Sequence, residues 1–402
     1  MLTSFRAESL ALCALFLSAC TANANPDGRP QEQRVDLRAN PELDAAIEEV
    51  MSAQGVMTAG VGLIENGELT WAGYYGEQAP GVPTSSSTQF DVGSITKVVS
   101  TETVLRLAND GRLNLDEPMG DLWIDPDLVD DPRALQLTPR MVLTHTTGFP
   151  SRRRRTDDGT LQFLNEPGTT FGYSGEGFEY LMRYVEAKLD TSFPELVATE
   201  VLEPLGITDA SFAYREENFP NVALSVDQDT GAFRADWGYH CSVVTDSCLQ
   251  DGAYSTSRNM TMSVESLAKF VISVANADGY DEAMVIDRNT VQSVMDRPLY
   301  FCDEPGVGDC PLEQGYGLGW QVLDYGDADI ITHGGHDYSV LTVVGMNTET
   351  KDGVIVLLSA QELSSLRAMV GILGVLDPST PLSQQYRGWL RYEEARQAAA
   401  SE

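Results

Sequence analysis

The hydrophobic pattern predicts strands near both ends of the chain and helices between them. Residues 43–51 have helical spacing, and two apolar runs follow at residues 58–64 and 69–75. Asn66-Gly67 between these runs is a strong β-hairpin signal, because both residues of such a turn must tolerate positive φ. Toward the other end, four more apolar runs predict strands, at residues 316–322, 330–333, 340–346 and 354–358.

Between residues 113 and 276 the pattern is one of helices and long loops without clear alternating strands, and it predicts a helical insertion. Strands at both ends with helices between them indicate one sheet built from both termini. The expected fold class is therefore α/β of the α+β kind, with an inserted helical lobe. The charged, alanine-rich segment from residue 384 predicts a peripheral helix with a frayed end.

A buried helix is predicted immediately after Gly93, because its apolar residues occupy more than one face. Ser94 and Lys97 stand at its start. Three residues on a helix are nearly one turn, so the lysine amine would lie over the serine hydroxyl, and this can activate a serine without a histidine. The same spacing recurs at Ser266 and Lys269 in an amphipathic helix. Spacing alone therefore does not identify the nucleophile, and the context favours Ser94.

Composition narrows the classes of function. The 402 residues are 42% hydrophobic, which suits one large globular unit or two lobes sharing a core. The formal net charge of −34 repels phosphates and argues against nucleic acid as a partner. The acidic surface is explained by solubility alone or by a salty habitat, in which such a surface keeps a protein hydrated.

The first two dozen residues are typical of an export signal. Arg6 precedes an apolar run at residues 10–17, which is too short to span a bilayer. Residues 17–20, Leu-Ser-Ala-Cys, resemble the lipobox of bacterial lipoproteins, in which Cys20 becomes the acylated first residue; residues 22–24, Ala-Asn-Ala, equally suit ordinary signal cleavage. The lipoprotein is the favoured alternative, and both place the protein outside the cytoplasm, in the periplasm or attached to the outer membrane of a bacterium.

Four cysteines beyond this segment fall into two close-spaced pairs, Cys241 with Cys248 and Cys302 with Cys310. Two small-loop disulfides fit an oxidising compartment. A metal site would need a cluster of ligands, and the sequence has no C-x-x-C motif and only His240 near these cysteines. Disulfides are therefore expected, and neither a metal nor another cofactor is.

Three short segments carry chemistry in the order that an acyl-transfer enzyme needs. The first is Ser94 with Lys97, and the second is Tyr173-Ser174-Gly175. Tyrosine has a pKa of about 10 and is a poor base unless a cation such as Lys97 stabilises the phenolate. The third, His333-Gly334-Gly335-His336, ends a predicted strand, where two glycines let a substrate carbonyl approach the backbone. A backbone N–H there and that of Ser94 would form an oxyanion hole.

Four further segments complete a specific order of motifs. They are residues 141–148 (MVLTHTTG), 202–207 (LEPLGI), 252–256 (GAYST) and 315–320 (GYGLGW). With them, the chain resembles the serine β-lactamase and penicillin-binding-protein superfamily, most closely its class C and family VIII esterase branch. The resemblance implies a mixed sheet of antiparallel strands with helices on both faces, and a helical lobe that faces the sheet across the active site.

The chain is expected to have four parts, of which the resemblance defines one. The resemblance covers most of the mature protein, and the hydrolase domain is expected at residues 44–376. An export signal at residues 1–20 and a polar linker at 21–43 precede the domain, and a tail at 377–402 follows it.

Residue by residue, the resemblance also implies roles. Ser94 matches the nucleophile that becomes acylated, and Lys97 matches its partner. Tyr173 matches the general base, which takes the serine proton and later activates the deacylating water. The segment His333-Gly334-Gly335 matches the Lys-Thr-Gly element, and His336 would donate the second oxyanion N–H.

Two positions depart from the β-lactamase pattern. Gly175 stands where Tyr-x-Asn has its asparagine, so the amide that helps to hold the acyl substituent of a β-lactam is missing. His333 replaces the commonest lysine, which removes a fixed positive charge for a substrate carboxylate unless the histidine is protonated. Both changes favour an exported serine hydrolase of small esters or amides over a D-amino-acid peptidase or a β-lactamase. The alternative from another class is a penicillin-binding sensor that is acylated without turning over.

Some of these residues also have plainer explanations. Tyr173 could be a packing tyrosine, and His145 is expected to organise its loop rather than to touch substrate. His333 and His336 could be a metal pair, but no third ligand is in sight. The sequence does not reveal the oligomeric state.

The four arginines at residues 152–155 are conspicuous in so acidic a chain. They form either a solvated turn paired with acidic neighbours such as Asp157 and Asp158, or a patch that gathers anionic substrates or lipid headgroups near the site entrance.

Overall fold

An antiparallel sheet of nine strands forms the centre of the described part of the chain. This computed structural model describes residues 39–234, 241–242, 247–248, 250–295, 310–326, 329–377 and 380–400. The strands are β1 Thr58–Glu65, β2 Glu68–Ala79, β3 Val82–Pro83, β4 Phe90–Asp91, β5 Cys241–Ser242, β6 Ser247–Cys248, β7 Thr261–Met262, β8 Ser293–Val294, β9 Glu313–Tyr316, β10 Gln321–Asp324, β11 Asp329–Asp337, β12 Val340–Asn347 and β13 Gly353–Ser359. The order in the large sheet is β3-β2-β1-β13-β12-β11-β10-β9-β8, so the sheet is built from both ends of the sequence, as predicted.

The first hairpin lies at the predicted place. β1 and β2 pair in antiparallel register across Asn66 and Gly67, whose φ angles are +53° and +78°. Positive φ at both turn positions is the conformation that Asn-Gly adopts readily, and its twist matches that of the two strands.

Helices cover both faces of the sheet. They are α1 Pro41–Gln54, α2 Thr96–Asn109, α3 Pro139–Leu143, α4 Gly175–Leu189, α5 Phe193–Val197, α6 Val264–Ala275, α7 Glu282–Asn289, α8 Glu362–Leu376 and α9 Pro381–Ala400. Ile355 and Leu357 of β13 belong to the core shared with α2 and α6, whereas Val356 belongs to the core shared with α1, α8 and α9. Because successive strand residues point to opposite faces, burial on both sides makes β13 an unbroken apolar run.

The helical insertion is present, but its last helix packs on the sheet. A Cβ at Gly60 of β1 would come within 2.7 Å of the Val264 side chain, so α6 lies directly against that strand. The segment predicted to lack strands also contains β7, which pairs with β4 in a two-stranded ribbon next to the start of α2. The lobe that faces the sheet is therefore formed by the residues before α6.

The prediction of one strand over residues 316–322 is wrong. The structure has β9 and β10 there, joined by a tight turn in which the Gly317 N–H donates to the carbonyl of Trp320 at 3.0 Å. Gly319 has a φ of +72°, and a Cβ at this position would lie 2.0 Å from Thr101 Oγ1 of α2. The turn between β9 and β10 therefore depends on the close contact of Gly319 with α2, a helix that is distant in sequence. The apolar pattern of residues 316–322 gives no sign of this contact.

The C-terminal helix begins at Pro381 and is not peripheral. Leu382 and Tyr386 are buried in the core shared with α1 and α8. The Tyr386 hydroxyl donates to the carbonyl of Thr342 at 3.4 Å. This helix, predicted to be part of a tail, therefore packs on the sheet.

Other expectations lie partly or wholly outside the described residues. The predicted export signal, with Cys20, and most of the linker lie before residue 39. Cys241 and Cys248 are opposite each other in the backbone register of β5 and β6, and Cys310 is disulfide-bonded, but Cys302 is not among the described residues, so both pairings stay predictions. Within the described ranges, every helix is too short or too polar to span a lipid bilayer.

Candidate active site

Ser94 lies in a one-turn helix between a short strand and a long helix. β4 ends at Asp91, Gly93–Ile95 form the turn, and α2 begins at Thr96. Asp91 Oδ1 accepts from the Gly93 N–H at 2.8 Å, and Thr96 Oγ1 donates to the Gly93 carbonyl at 2.7 Å. Gly93 has a φ of +56°, which glycine adopts without strain. These contacts fix Ser94 beside the large sheet.

Lys97 is buried next to Ser94. The residue is 3% exposed, and its Nζ lies 3.2 Å from Ser94 Oγ and 2.7 Å from the carbonyl oxygen of Ser257. Burial above all, together with the positive charges of Arg152 and Arg258, lowers the pKa of Lys97 to about 7. Near neutral pH, a large fraction of this amine is therefore unprotonated and can accept a proton.

Tyr173, which lies just before α4, reaches the same serine. Lys97 Nζ lies 4.9 Å from its ring centroid, and the Ser94 side chain is near enough to lower the pKa of the Tyr173 hydroxyl. Loss of hydration raises the pKa of the Tyr173 hydroxyl well above its ordinary value of 10.0, and the interaction with Ser94 offsets only part of this rise. The phenol is therefore protonated at neutral pH, whereas the pKa of Lys97 lies close to neutral pH.

His145 supports the Tyr173 segment. The two ring centroids lie 4.4 Å apart, and His145 Nδ1 accepts from the N–H of Ser174 at 3.2 Å. Burial holds the pKa of His145 well below its ordinary value. The Tyr316 ring lies 4.9 Å from the imidazole and extends the same aromatic cluster. A neutral His145 that packs and accepts one backbone hydrogen bond is the structural residue that the sequence indicates.

The backbones of Gly93-Ser94 and Gly335-His336 are in contact. A Cβ at Gly335 would lie 2.2 Å from the carbonyl oxygen of Val92 and 3.1 Å from the Ser94 nitrogen. A Cβ at Gly93 would lie 3.3 Å from the His336 nitrogen. Position 335 therefore accepts only glycine, and the close approach brings the N–H groups of Ser94 and His336 to the same end of the site.

His333 and His336 belong to opposite faces of β11. His333 is 2% exposed, and its Nδ1 donates to the carbonyl of Gly334 at 2.8 Å. Burial lowers the pKa of His333 to about 3, so the imidazole is neutral and provides no positive charge. His336 packs its ring 5.2 Å from that of Trp389, and its Nε2 lies 3.5 Å from the Glu362 carboxylate.

The two histidines therefore do not form a metal pair. Among the described residues, no three His, Cys, Asp or Glu side chains form a group that could hold a metal ion. The side chain of His336 lies away from the serine, so only its backbone N–H is placed at the site.

Ser257 makes two contacts in the site that the sequence does not predict. The carbonyl of Ser257 holds Lys97, and the Ser257 hydroxyl donates to Glu179 at 2.8 Å. Ser257 directly follows the motif at residues 252–256, and this adjacency is the signal that could have found it.

Gly175 begins α4 in a narrow space. Its N–H donates to the carbonyl of Ser151 at 3.1 Å, and a Cβ at this position would lie 3.3 Å from that carbonyl oxygen and 3.3 Å from Ser257 Oγ. No side-chain amide extends from this position toward a substrate.

The four arginines at residues 152–155 differ in environment. Arg152 is partly exposed, and its Nη2 lies 3.8 Å from the carboxylate of Asp337, while the last two arginines are exposed. Arg153 forms ion pairs with three carboxylates, those of Asp125, Asp127 and Glu176. The acidic partners of the run are these residues, and not Asp157 or Asp158 as the sequence suggested.

One protein-family sequence model matches the chain and shows which family it belongs to. It is described as Beta-lactamase, and it matches residues 43–371, which are most of the chain. The chain belongs to the beta-lactamase family. Members of the beta-lactamase family are serine hydrolases, and the superfamily expected from the motifs is confirmed.

Related sequences match part of this beta-lactamase family chain. Protein flp of Staphylococcus aureus (strain MRSA252) is 24% identical over 203 residues, which are 46% of this chain and 41% of the relative. Putative beta-lactamase-like 1 of Homo sapiens is 27% identical over 195 residues, which are 42% of this chain and 39% of the relative. The matches therefore span less than half the length of these relatives.

Solved structures share the fold. A penicillin-binding protein homologue from Pyrococcus abyssi, described as octameric, has a TM-score of 0.65 at 21% identity and covers 86% of this chain and 78% of its own. The D-amino acid amidase from Ochrobactrum anthropi SV3 has a TM-score of 0.63 at 17% identity over 84% and 99% of the two chains. A class C beta-lactamase has a TM-score of 0.63 at 15% identity over 85% and 98%. The beta-lactamase-like architecture expected from the sequence is therefore confirmed.

Proposed function

We propose that the chain is an exported serine hydrolase that cleaves small esters or amides through an acyl-enzyme on Ser94. The observation that carries the proposal is the buried Lys97 amine, which lies 3.2 Å from the Ser94 hydroxyl and has a pKa lowered to about 7. An unprotonated amine at this distance can take the serine proton as the oxygen attacks. Membership of the beta-lactamase family supports this class of reaction.

The neighbouring groups complete a balanced cycle. Ser94 Oγ forms a bond to the substrate carbonyl carbon, and its proton passes to Lys97 Nζ. The negative charge on the carbonyl oxygen is stabilised by the N–H groups of Ser94 and His336. When the bond to the leaving group breaks, that group takes the proton of the Tyr173 hydroxyl. The Lys97 ammonium then gives its proton to the Tyr173 oxygen. In the second half, water attacks the acyl carbon and gives a proton to Lys97 Nζ. The bond to Ser94 Oγ then breaks, this oxygen takes the proton of the Tyr173 hydroxyl, and the Lys97 ammonium reprotonates Tyr173 as the acid leaves.

This assignment of the base differs from what the resemblance implies. There Tyr173 takes the serine proton, whereas the raised pKa of Tyr173 and the lowered pKa of Lys97 favour the amine. Tyr173 keeps an essential part as the proton donor to the leaving group.

The substrate class rests on two positions. Gly175 offers no side-chain amide, and neutral His333 supplies no charge at the strand position where lysine is commonest. Esters and amides that do not need these two contacts are therefore the favoured substrates over β-lactams.

The pH dependence of ester hydrolysis tests the role of Lys97. Because only the unprotonated amine accepts the proton, kcat/KM is expected to rise about tenfold per pH unit below pH 7 and to level off above it. A profile measured from pH 5 to 10 checks this. A rate that still climbs at pH 10 would instead indicate a tyrosine with an ordinary phenol pKa.

The variant Tyr173→Phe distinguishes Lys97 from Tyr173 as the base. The variant is needed because two coupled groups titrate together, so a pH profile alone gives apparent pKa values that belong to the pair. If Lys97 is the base, the variant is expected to retain the rise near pH 7 with a lower kcat. Loss of that rise would make Tyr173 the base. Absorbance at 295 nm gives an independent check, because no phenolate signal from Tyr173 is expected at pH 8.

A turnover panel tests the substrate class. Short-chain aryl esters are expected to be hydrolysed faster than a chromogenic cephalosporin or D-amino acid peptides. Faster turnover of either of the latter two would favour the β-lactamase or the peptidase alternative. Labelling of Ser94 by a fluorophosphonate without turnover of any member would favour the acylated sensor.

Export is part of the proposal and is supported by the signal-like residues 1–20 and by the disulfide-bonded Cys310. A lipid on Cys20 is expected to draw the full chain, expressed in a bacterium, into the detergent phase of a Triton X-114 separation. Cys20→Ala is expected to move it to the aqueous phase. Equal partition of both proteins would favour ordinary signal cleavage.

A further inference from the structure

Two arginines flank the site, and apart from their effect on the pKa of Lys97 the proposed function assigns them no role. At the start of α4, Gly175 lies between Ser151 and Ser257, since a Cβ on it would be 3.3 Å from an oxygen of each. Arg152 follows Ser151, and Arg258 follows Ser257. The segments that carry the two guanidinium groups therefore meet beside Gly175. They also lie next to the Ser257 carbonyl, which accepts a hydrogen bond from Lys97.

Carboxylates compensate the charges of Arg152 and Arg258 only in part. Arg152 Nη2 is 3.8 Å from the carboxylate of Asp337. Arg258 interacts electrostatically with the buried Asp91 but makes no hydrogen bond or ion pair within the ranges that the structure describes. The two guanidinium groups repel each other, and both repel the Lys97 amine. Glu179, a carboxylate on the same side, accepts from the hydroxyls of Ser255 and Ser257 through Oε1 and acts electrostatically on Lys97. An anion between the two arginines would relieve this repulsion.

The large sheet does not supply a charge for such an anion. His333 Nδ1 donates to the neighbouring carbonyl, so Nε2 carries a lone pair, and it has no hydrogen-bond partner among the described residues. A substrate carboxylate at β11 would face this lone pair instead of a positive charge. An anionic group is therefore better placed on the side of the two arginines.

We propose that Arg152 and Arg258 form an anion-binding subsite, and that the preferred substrates are esters or amides that carry a carboxylate. This inference rests on the proposed hydrolase function and names its substrate class. Guanidinium groups bind carboxylates through paired N–H donors, which makes arginine well suited to this role. Asp337, the long-range partner of Arg152, directly follows His336, so the subsite adjoins the proposed oxyanion hole.

Matched aryl esters test the subsite. One ester has a neutral acyl chain, a second has an acyl chain of equal length ending in a carboxylate, and a third carries the carboxylate on the leaving group. One of the two acidic esters is expected to have a kcat/KM roughly tenfold above that of its neutral counterpart. All rates are measured at pH 9, where Lys97 is unprotonated whether or not the arginines lower its pKa. Arg152→Gln and Arg258→Gln are each expected to raise KM for that ester about tenfold and to change KM for the neutral ester less than about twofold. Lysine at either position is expected to restore part of the loss.

Arg155→Gln is the matched control, because this side chain lies in the same loop, is exposed and has no ion pair within the described ranges. Its KM values are expected to equal those of the unchanged protein. Equal losses on neutral and acidic esters, or no preference for either acidic ester, would overturn the subsite and leave the hydrolase function standing.

A readout without turnover keeps the two proposals distinct. If no ester is hydrolysed, the hydrolase function fails, and the subsite is judged by protection of Ser94 from a fluorophosphonate by glutarate. Protection that is lost in the double variant Arg152→Gln and Arg258→Gln supports the subsite. Absence of protection in the unchanged protein overturns it.

Discussion

Replacing Ser94 by alanine is expected to lower ester turnover by at least about 10⁴-fold and to leave the fold intact. The substitution removes only the hydroxyl that Lys97 and Tyr173 contact. Lys97 keeps its hydrogen bond to the carbonyl of Ser257, so the buried amine retains a partner. Initial rates with a short-chain aryl ester measure the loss, and a thermal melt shows that the variant is folded.

Ser266→Ala is the matched control, because Ser266 and Lys269 repeat the spacing of the proposed pair. The structure places Ser266 in α6 with its hydroxyl donating to Asp209, away from the proposed site. Loss of this hydrogen bond is expected to cost about 1 kcal/mol of stability and to leave turnover within about twofold. Comparable rate losses in the two variants would refute the assignment of Ser94.

Replacing Gly335 by alanine is expected to lower kcat by about 10²-fold or more, as the loss of an oxyanion-hole donor does. The added Cβ would lie 2.2 Å from the Val92 carbonyl oxygen and 3.1 Å from the Ser94 nitrogen, so β11 must move away from the serine turn. This movement separates the N–H groups of Ser94 and His336. Single-turnover acylation rates report the effect directly.

Gly334→Ala controls for damage to the strand itself. Its Cβ would meet the Tyr386 hydroxyl at 2.9 Å on the other face of the sheet, where a side chain can adjust. We expect a lower Tm with a kcat within about threefold of the unchanged protein. If Gly335→Ala and Gly334→Ala lowered kcat equally at the same folded fraction, the loss would be caused by general damage to β11. The oxyanion hole would then not explain it.

The parts of the fold that the sequence predicts are those with local causes. Asn66-Gly67 forms the hairpin because the turn needs positive φ at both positions. The strands at both ends are visible as apolar runs, and β13 is continuous because both of its faces are buried. The break between β9 and β10 has a tertiary cause, the contact of Gly319 with Thr101 of α2, and it could not be predicted from the run itself.

The site divides in the same way. Ser94 and Lys97 are neighbours on one helical turn, so their contact follows from spacing. The Ser257 carbonyl that holds Lys97 is distant in sequence, and its role appears only when the lobe meets the sheet. The pKa values of Lys97 and Tyr173 depend on burial in the folded chain, so the choice of base between these two residues cannot be made from the sequence.

The central claim is an acyl-enzyme on Ser94 that forms and decays during turnover. Intact-mass spectrometry of the full chain, quenched at intervals during hydrolysis of a short-chain aryl ester, tests it most directly. The account predicts one added acyl group, located on the peptide that contains Ser94, decaying at the rate of product release and absent from Ser94→Ala. Turnover without an adduct, an adduct on another residue, or a stable adduct without product would contradict it.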